Sequence, residues 1–265
     1  MTYQHLVIEE TADHIKTIFL NRPERLNALN RGIMQELITA AEALHEDDKS
    51  RVVIIASKGK HFSAGADIKE LSKNAEASDS YLLQRRRAGL GAKLIRALLN
   101  IPQITIAAIN GVALGGGACI ANACDFRIGS DDCRVGYPEI DLGMNLMWQA
   151  LPLCVALVGP AKAKRLVIGG QHENAFDLLQ WGFLDEVVKL DELHAAALTM
   201  AKLYASKPPI AAQMIKASVN AISGALDQAL MHMDTDQNLL TAKTQDRLEG
   251  MRAFLEKRDA EFTGN

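Results

Sequence analysis

The chain lacks the features that mark several large classes of protein. Its 265 residues contain four cysteines, Cys119, Cys124, Cys133 and Cys154, which are too few and too apolar in setting for a disulfide framework. The C-x4-C spacing of the first two fits no common zinc pattern. We therefore expect reduced thiols and no metal site. No apolar run approaches the roughly 18 residues of a membrane-spanning helix, so we expect no membrane partner.

Strong charge and a targeting segment are also missing. The formal net charge of −3 argues against nucleic acid as a main partner. The first ten residues, MTYQHLVIEE, have neither a basic n-region nor an apolar h-region. We therefore expect no signal peptide and a cytoplasmic protein. Hydrophobic residues make up 48% of the chain, enough for a substantial core in one large domain with or without an appendage.

The most prominent motif is a glycine-rich turn at residues 110–117 (NGVALGGG). The β-branched run at 103–109 before it predicts a buried strand, and the small residues at 118–124 predict a tightly packed helix. Three glycines let a ligand approach closely and leave the first N–H groups of the helix unpaired. Such donors suit a phosphate or the oxyanion of an activated carbonyl. The spacings of the common phosphate-binding motifs are absent, so the alternatives are an oxyanion site and a purely structural turn.

A second turn of the same kind lies about 50 residues earlier. Residues 61–68 (HFSAGADI) follow another apolar run, 52–56 (VVIIA), that predicts a buried strand. One backbone N–H from each turn could therefore converge on a single carbonyl oxygen. Further along the chain, a hairpin is predicted over 6–20, one long helix over 81–99, and apolar helices over 148–158 and 160–168.

Together, FSAGADI and NGVALGGG resemble the enoyl-CoA hydratase/isomerase (crotonase) family. Four further segments extend the resemblance: NRPERLNAL at 21–29, GYPEIDLG at 136–143, AFDLLQWGFLDEVV at 175–188 and FLEKRDAEF at 254–262. The resemblance implies an α/β fold, a spiral of repeated strand–strand–helix units with a C-terminal helical trimerisation region. With the shift to helical sequence near 190–205, it predicts an acyl-CoA-binding core at 1–195 and a helical oligomerisation region at 196–265. Trimers, or dimers of trimers, are the assemblies it implies.

The resemblance also implies an acyl-CoA substrate and assigns residues to it. The backbone N–H groups of Ala64 and Gly116 would hold the thioester oxygen, and Glu139 would be the catalytic acid–base. Coenzyme A is part of the substrate, and no other cofactor is implied. The residues assigned to substrate and coenzyme A binding are Arg25, Ala64, Ala66, Asp67, Ile68, Gly116 and Lys257. Because Glu139 has apolar sequence neighbours, we expect its pKa to be raised.

The sequence departs from the family pattern at Cys119. Typical hydratases read GGGCE here and use the second glutamate to position water, whereas this chain reads GGGAC. A thiol cannot replace a carboxylate acid–base, and a buried structural cysteine is the alternative to a nucleophile. One glutamate suffices for Δ3,Δ2-enoyl-CoA isomerases of the family, and the apolar segment 144–148 would exclude water. Asp141 is a candidate second acid, since residues i and i+2 share a face in extended chain.

Other functions remain open on the sequence alone. A hydratase working with one glutamate is the nearest alternative to the isomerase, and a thioester hydrolase or decarboxylase is a further one. A different class is a non-catalytic or RNA-binding relative. The intact turns and Glu139 argue against a non-catalytic subunit, and the negative charge argues against RNA binding.

Overall fold

A computed structural model describes residues 2–67 and 80–265. Its strands are β1 Leu6–Ala12, β2 Ile15–Leu20, β3 Val52–Ser57, β4 Ile104–Ile109, β5 Val112–Leu114, β6 Phe126–Ser130, β7 Arg134–Gly136, β8 Glu173–Asn174 and β9 Glu186–Val188. Its helices are α1 Arg31–Ala43, α2 Tyr81–Ala88, α3 Leu90–Leu99, α4 Gly116–Asn122, α5 Leu151–Ile168, α6 Ala175–Gln180, α7 Leu193–Ala205, α8 Pro209–Ser223, α9 Asp227–Met231, α10 Asp234–Thr241 and α11 Gln245–Glu256. Short 3-10 helices lie at Pro23–Arg25, Leu44–Glu46, Pro138–Leu142 and Leu190–Glu192.

Two sheets form the centre of the fold. The larger has the order β1-β2-β3-β4-β6-β9, antiparallel between β1 and β2 and parallel thereafter, and the smaller has the order β5-β7-β8. The chain alternates between them: β4 and β6 lie in the large sheet, each followed by a strand of the small sheet. With helices α4 and α5 completing them, these are the predicted strand–strand–helix units.

Both faces of the large sheet are covered, which explains the apolar sequence of its central strands. Every residue of β3 and β4 is buried, as expected for parallel strands packed on both sides. One face packs against α1, α3, α4 and α5, and the other against the small residues Ala197, Ala201 and Ala205 of α7. The predicted boundary at residue 195 therefore cuts through a helix that packs on the sheet.

Two predicted helices differ from those observed. The predicted 81–99 helix is divided at Gly89 into α2 and α3. The helix predicted from Trp148 begins instead at Leu151, because Trp148 and Gln149 have left-handed φ angles of 71° and 59°. The hairpin over 6–20 is confirmed. No helix of the described ranges is both long and apolar enough to cross a membrane.

Candidate active site

The fold brings the two predicted turns into direct contact. Because β3 and β4 are parallel neighbours, the segments that leave their carboxyl ends emerge at one edge of the sheet. Ser63 there pairs with Ala113 as an isolated bridge. The Ser63 N–H donates to the Val112 carbonyl at 3.0 Å, and the Leu114 N–H donates to the Ser63 carbonyl at 2.9 Å. The convergence predicted from the sequence is therefore a backbone hydrogen-bonded pairing of the turns.

Glycine is required where the two turns meet. Gly65 has a φ of 86°, and a Cβ added there would lie 2.7 Å from the carbonyl oxygen of Leu114 and 3.6 Å from the Gly116 nitrogen. An added methyl group would force the turns apart, and the left-handed φ disfavours other residues. Gly65 therefore brings the backbone of the first turn next to the N–H of Gly116.

The available backbone donors differ in part from those predicted. Gly116 is the first residue of α4, and its N–H has no acceptor within the described part of the chain, as expected at a helix start. The Ala64 N–H, in contrast, donates to the Leu26 carbonyl at 3.0 Å. The structure therefore contradicts Ala64 as a free donor. Ala66, paired with Leu29 as an isolated bridge, keeps an N–H without an acceptor among the described residues.

Glu139 extends towards the glycine turn from the 3-10 helix Pro138–Leu142. A Cβ at Gly115 would lie 2.7 Å from its Oε1. Its Oε2 is buried and has no hydrogen-bond partner in residues 2–67 and 80–265. Burial raises the pKa of Glu139 to about 7, because the charged form loses hydration that a hydrogen bond from its own backbone N–H only partly offsets. The raised pKa expected from the sequence is confirmed, and it suits a group that both accepts and donates a proton near neutral pH.

Asp141 is directed away from Glu139. In an extended segment the two side chains would share a face, but the segment is a 3-10 helix, in which residues two apart diverge. The Asp141 carboxylate instead lies beside Gly170, where an added Cβ would be 2.9 Å from its Oδ2. The structure therefore contradicts Asp141 as a partner of Glu139.

Cys119 is a buried thiol in the second turn of α4. Its side chain is 1% exposed, and burial together with the nearby Glu139 carboxylate raises its pKa well above the ordinary value. A thiolate is the reactive form of cysteine, so this environment disfavours a nucleophile. All four cysteines are free and buried. The structural alternative for Cys119 is the one this geometry supports.

The residues assigned to coenzyme A are spread over three places. Asp67 forms an ion pair with Arg22 at 3.2 Å, so its carboxylate is engaged by an arginine that is not among the predicted residues. Arg25 is exposed on the 3-10 helix Pro23–Arg25. Lys257 is exposed beyond the end of α11. Neither of these two cations forms a hydrogen bond or ion pair with described residues of the site. Ile68 lies outside the described residues.

Trp148 is the main feature of the site that the sequence did not reveal. Its indole lies against Gly116, where an added Cβ would be 2.5 Å from Cζ3 and Cη2 of the ring. The side chain is 9% exposed. The sequence identified the 144–148 segment as apolar, but an indole over the oxyanion-donor glycine depends on the left-handed backbone at Trp148.

The C-terminal helices support the segments of the site that carry Trp148 and Glu139. Asp234 at the start of α10 is 2% exposed, and its Oδ2 accepts a hydrogen bond from the Gln149 N–H at 3.1 Å. Arg247 of α11 donates to the Leu142 carbonyl at 3.0 Å, at the end of the helix that carries Glu139. These helices were predicted only as an oligomerisation region. The buried polar residues Asp234 and Arg247 do not stand out in the sequence from the exposed polar residues around them in these helices.

Metal ligation finds no support in the described ranges. No group of three or more histidine, cysteine or acidic side chains there could hold a metal ion. Among residues 2–67 and 80–265, the groups that the site offers for chemistry are the Glu139 carboxyl and the backbone N–H donors of Gly116 and Ala66. Such a set can stabilise a negative carbonyl oxygen and move a proton.

Comparisons with known proteins identify the family of the chain. Residues 10–265 match the model of the enoyl-CoA hydratase/isomerase family. A crotonyl-CoA hydratase of Syntrophomonas wolfei is 35% identical over 264 residues, 99% of each chain. A short-chain-enoyl-CoA hydratase of Clostridium acetobutylicum is 34% identical over 258 residues, 96% of each. The crystal structure of an enoyl-CoA hydratase/isomerase from Xanthobacter autotrophicus superposes with a TM-score of 0.88 at 28% identity, covering 99% of this chain and 100% of that one. This chain belongs to the enoyl-CoA hydratase/isomerase family of enzymes.

Proposed function

We propose that this enzyme interconverts 3-enoyl-CoA and 2-enoyl-CoA thioesters, with Glu139 as the single acid–base. The observation that carries the proposal is a half-buried glutamate beside the glycine turn, whose Oε2 is shielded from solvent and whose pKa is about 7. At the position where typical hydratases have their second glutamate, this chain has the Cys119 thiol. One carboxyl group that changes protonation near neutral pH can serve both halves of a proton shift.

The thioester oxygen would be held by two backbone N–H groups. Gly116 supplies one, and Ala66 rather than Ala64 supplies the other, because the Ala64 N–H is already bound to Leu26. Removing one such donor typically costs about 2.7–4 kcal/mol of transition-state stabilisation. This arrangement favours the enolate over the ground-state carbonyl because negative charge accumulates on the oxygen only during the reaction.

Glu139 would then carry the proton from C2 to C4. As a carboxylate it removes a proton from C2 of the 3-enoyl thioester, giving a dienolate whose oxygen is stabilised by the two N–H groups. The C3–C4 double bond electrons then take the same proton from the Glu139 carboxyl at C4, the C1–C2 double bond of the dienolate shifts to C2–C3, and the thioester carbonyl re-forms. Atoms and charge balance without water, and the apolar cover provided by Trp148 limits solvent access to the dienolate.

Coenzyme A binding is a further part of the proposal. Arg25 and Lys257 are exposed cations suited to contacts with its phosphates. Arg22 and Asp67 form an ion pair in which the two side chains are 11% and 16% exposed. This ion pair holds the segment that carries Ala66, because Asp67 is the next residue in the chain. In this arrangement Asp67 acts on the donor segment and does not touch the phosphates.

Hydration of a short 2-enoyl-CoA is the second candidate. Its support is the naming of the relatives: one is a crotonyl-CoA hydratase and another a short-chain-enoyl-CoA hydratase. In that reaction water adds its hydroxyl group at C3 and a proton reaches C2. Glu139 alone would have to accept the water proton and return it, since Cys119 provides no carboxylate.

A side-by-side assay tests the choice. The purified enzyme is given 3-butenoyl-CoA and, separately, crotonyl-CoA, and products are separated by chromatography. We expect conversion of 3-butenoyl-CoA to crotonyl-CoA to be faster than formation of 3-hydroxybutyryl-CoA, with both lost in Glu139→Gln. Faster hydration than isomerisation would select the second candidate. Activity retained in Glu139→Gln would contradict both.

A further inference from the structure

The Trp148 indole occupies a slot that two glycines on different helices leave open. One wall is Gly116 at the start of α4, and the other is Gly91 in α3. A Cβ at either position would overlap the ring. Gly91 has no left-handed φ that would require glycine, and glycine within a helix is otherwise unfavourable. The reason for Gly91 that the structure offers is space for the indole.

The backbone that aims the indole is held from two sides. Trp148 and Gln149 both adopt left-handed φ values, which residues with a Cβ adopt only when their surroundings enforce them. Asp234 supplies one restraint, since its Oδ2 accepts a hydrogen bond from the backbone N–H of Gln149 at 3.1 Å. Arg96 of α3 supplies another, by donating to Oε1 of Gln149 at 2.9 Å.

The indole lies one residue away from the acid–base along the glycine turn. Glu139 contacts Gly115 and Trp148 contacts Gly116. A thioester oxygen at the Gly116 N–H places the first acyl carbons between the carboxyl group and the indole. An acyl chain that continues beyond C4 meets the indole. The indole has little room to move aside, because it is closely packed in the protein interior.

We propose that Trp148 is the end wall of the acyl site, restricting the enzyme to acyl groups of about four carbons, and that Asp234 is the residue that positions it. The inference rests on the proposed function for the orientation of the thioester. It adds the acyl length, which the catalytic groups alone do not set.

Binding of unreactive thioesters tests the wall without any turnover. Titration calorimetry of the wild-type protein with butyryl-CoA and octanoyl-CoA should give a Kd at least ~10-fold lower for the shorter ligand. Trp148→Ala and the more conservative Trp148→Phe should reduce or reverse this ratio of the octanoyl-CoA Kd to the butyryl-CoA Kd. The chain has one other tryptophan, Trp181, which stacks with Lys162 and Arg165. Trp181→Phe is the matched control and should leave the ratio unchanged.

The positioning role of Asp234 has its own readout. In a Trp181→Phe background, tryptophan fluorescence excited selectively over the four tyrosines reports Trp148 alone. Asp234→Ala should shift its emission to longer wavelength and weaken the preference for butyryl-CoA, whereas Asp234→Asn keeps an acceptor oxygen and should restore most of both. Equal wild-type affinity for the two thioesters, or an unchanged ratio in folded Trp148→Ala, would overturn the inference. Absence of enoyl-CoA turnover alongside a strong length preference would instead overturn the proposed function.

Discussion

The Glu139 carboxylate lies so close to the backbone of Gly115 that a Cβ there would be 2.7 Å from Oε1. Gly115 also has a φ of 49° and a ψ of −116°, a conformation that favours glycine. The glycine turn therefore both supplies the N–H of Gly116 and makes room for the acid–base.

The first prediction concerns the role of Glu139. Glu139→Gln keeps the size of the side chain but cannot exchange a proton, so turnover of enoyl-CoA should fall at least ~10²-fold. Asp141→Asn is the matched control, because its carboxylate faces Gly170, and it should change the rate little. Steady-state kinetics on 3-butenoyl-CoA measures both. Equal losses in the two variants would contradict the assignment.

The second prediction concerns pH. Since the carboxylate form removes the first proton, kcat/KM should rise with pH through about 7. The same raised pKa affects stability. The folded protein retains the Glu139 proton above the ordinary glutamate pKa of 4.5. The free energy of unfolding therefore falls as the pH rises from 4.5 to about 7, and it stays at the lower value above that range.

Chemical unfolding of Glu139→Gln tests the stability effect. At 1.36 kcal/mol per pKa unit, the free energy of unfolding of the variant should exceed that of the wild type by at most about 3 kcal/mol near pH 8. This difference in stability should vanish near pH 4. Glu186→Gln, an exposed change in β9, is the control. A difference that does not depend on pH would contradict a raised Glu139 pKa.

The third prediction concerns Cys119. Cys119→Ala should change the rate little, because burial raises the pKa of the thiol and it keeps its proton throughout the reaction. Cys119→Glu should restore two carboxyl groups and raise hydration relative to isomerisation, a gain that Trp148 limits by covering the glycine turn. Cys124→Ala, another buried cysteine, controls for loss of packing. Cys119→Ala as damaging as Glu139→Gln would instead make the thiol catalytic.

The fourth prediction isolates the Gly116 donor. Gly116→Pro removes the N–H at the first position of α4, where a helix accepts proline. Its Cβ would also meet the Trp148 ring, so Gly116→Ala, which brings the same Cβ but keeps the N–H, is the necessary control. We expect folded Gly116→Pro to lose ~10²-fold more activity than Gly116→Ala. Equal activities would remove Gly116 from the oxyanion site.

The fifth prediction concerns assembly. Helix α8 exposes a row of apolar side chains, with Ile210 at 75%, Met214 at 66% and Ile222 at 79% exposure, more than a solitary surface helix normally leaves uncovered. We expect a homotrimer or a dimer of trimers, and Met214→Asp should shift it towards smaller species in sedimentation velocity. Thr199→Asp, at an exposed position of α7, should not. A stable wild-type monomer at micromolar concentration would contradict the prediction.

The sequence determined the parts of this protein that depend on local pattern. The apolar runs that form β3 and β4 and the glycines that follow identified two strand ends and an oxyanion turn. A raised pKa of Glu139 was expected from the apolar residues beside it in the sequence, and its pKa of about 7 agrees. Family motifs were local as well, which is why membership could be recognised before the chain was folded.

Only the tertiary structure decided which groups face the chemistry. Whether the Ala64 or the Ala66 N–H is free depends on the Leu26 carbonyl, which belongs to a different segment. Asp141 was misplaced because a 3-10 helix turns its side chain towards Gly170. The position of Trp148 depends on a left-handed backbone held by Asp234, a residue 86 positions further along the chain. Such long-range hydrogen bonds and packing contacts leave no periodic pattern in the sequence, so folding alone reveals them.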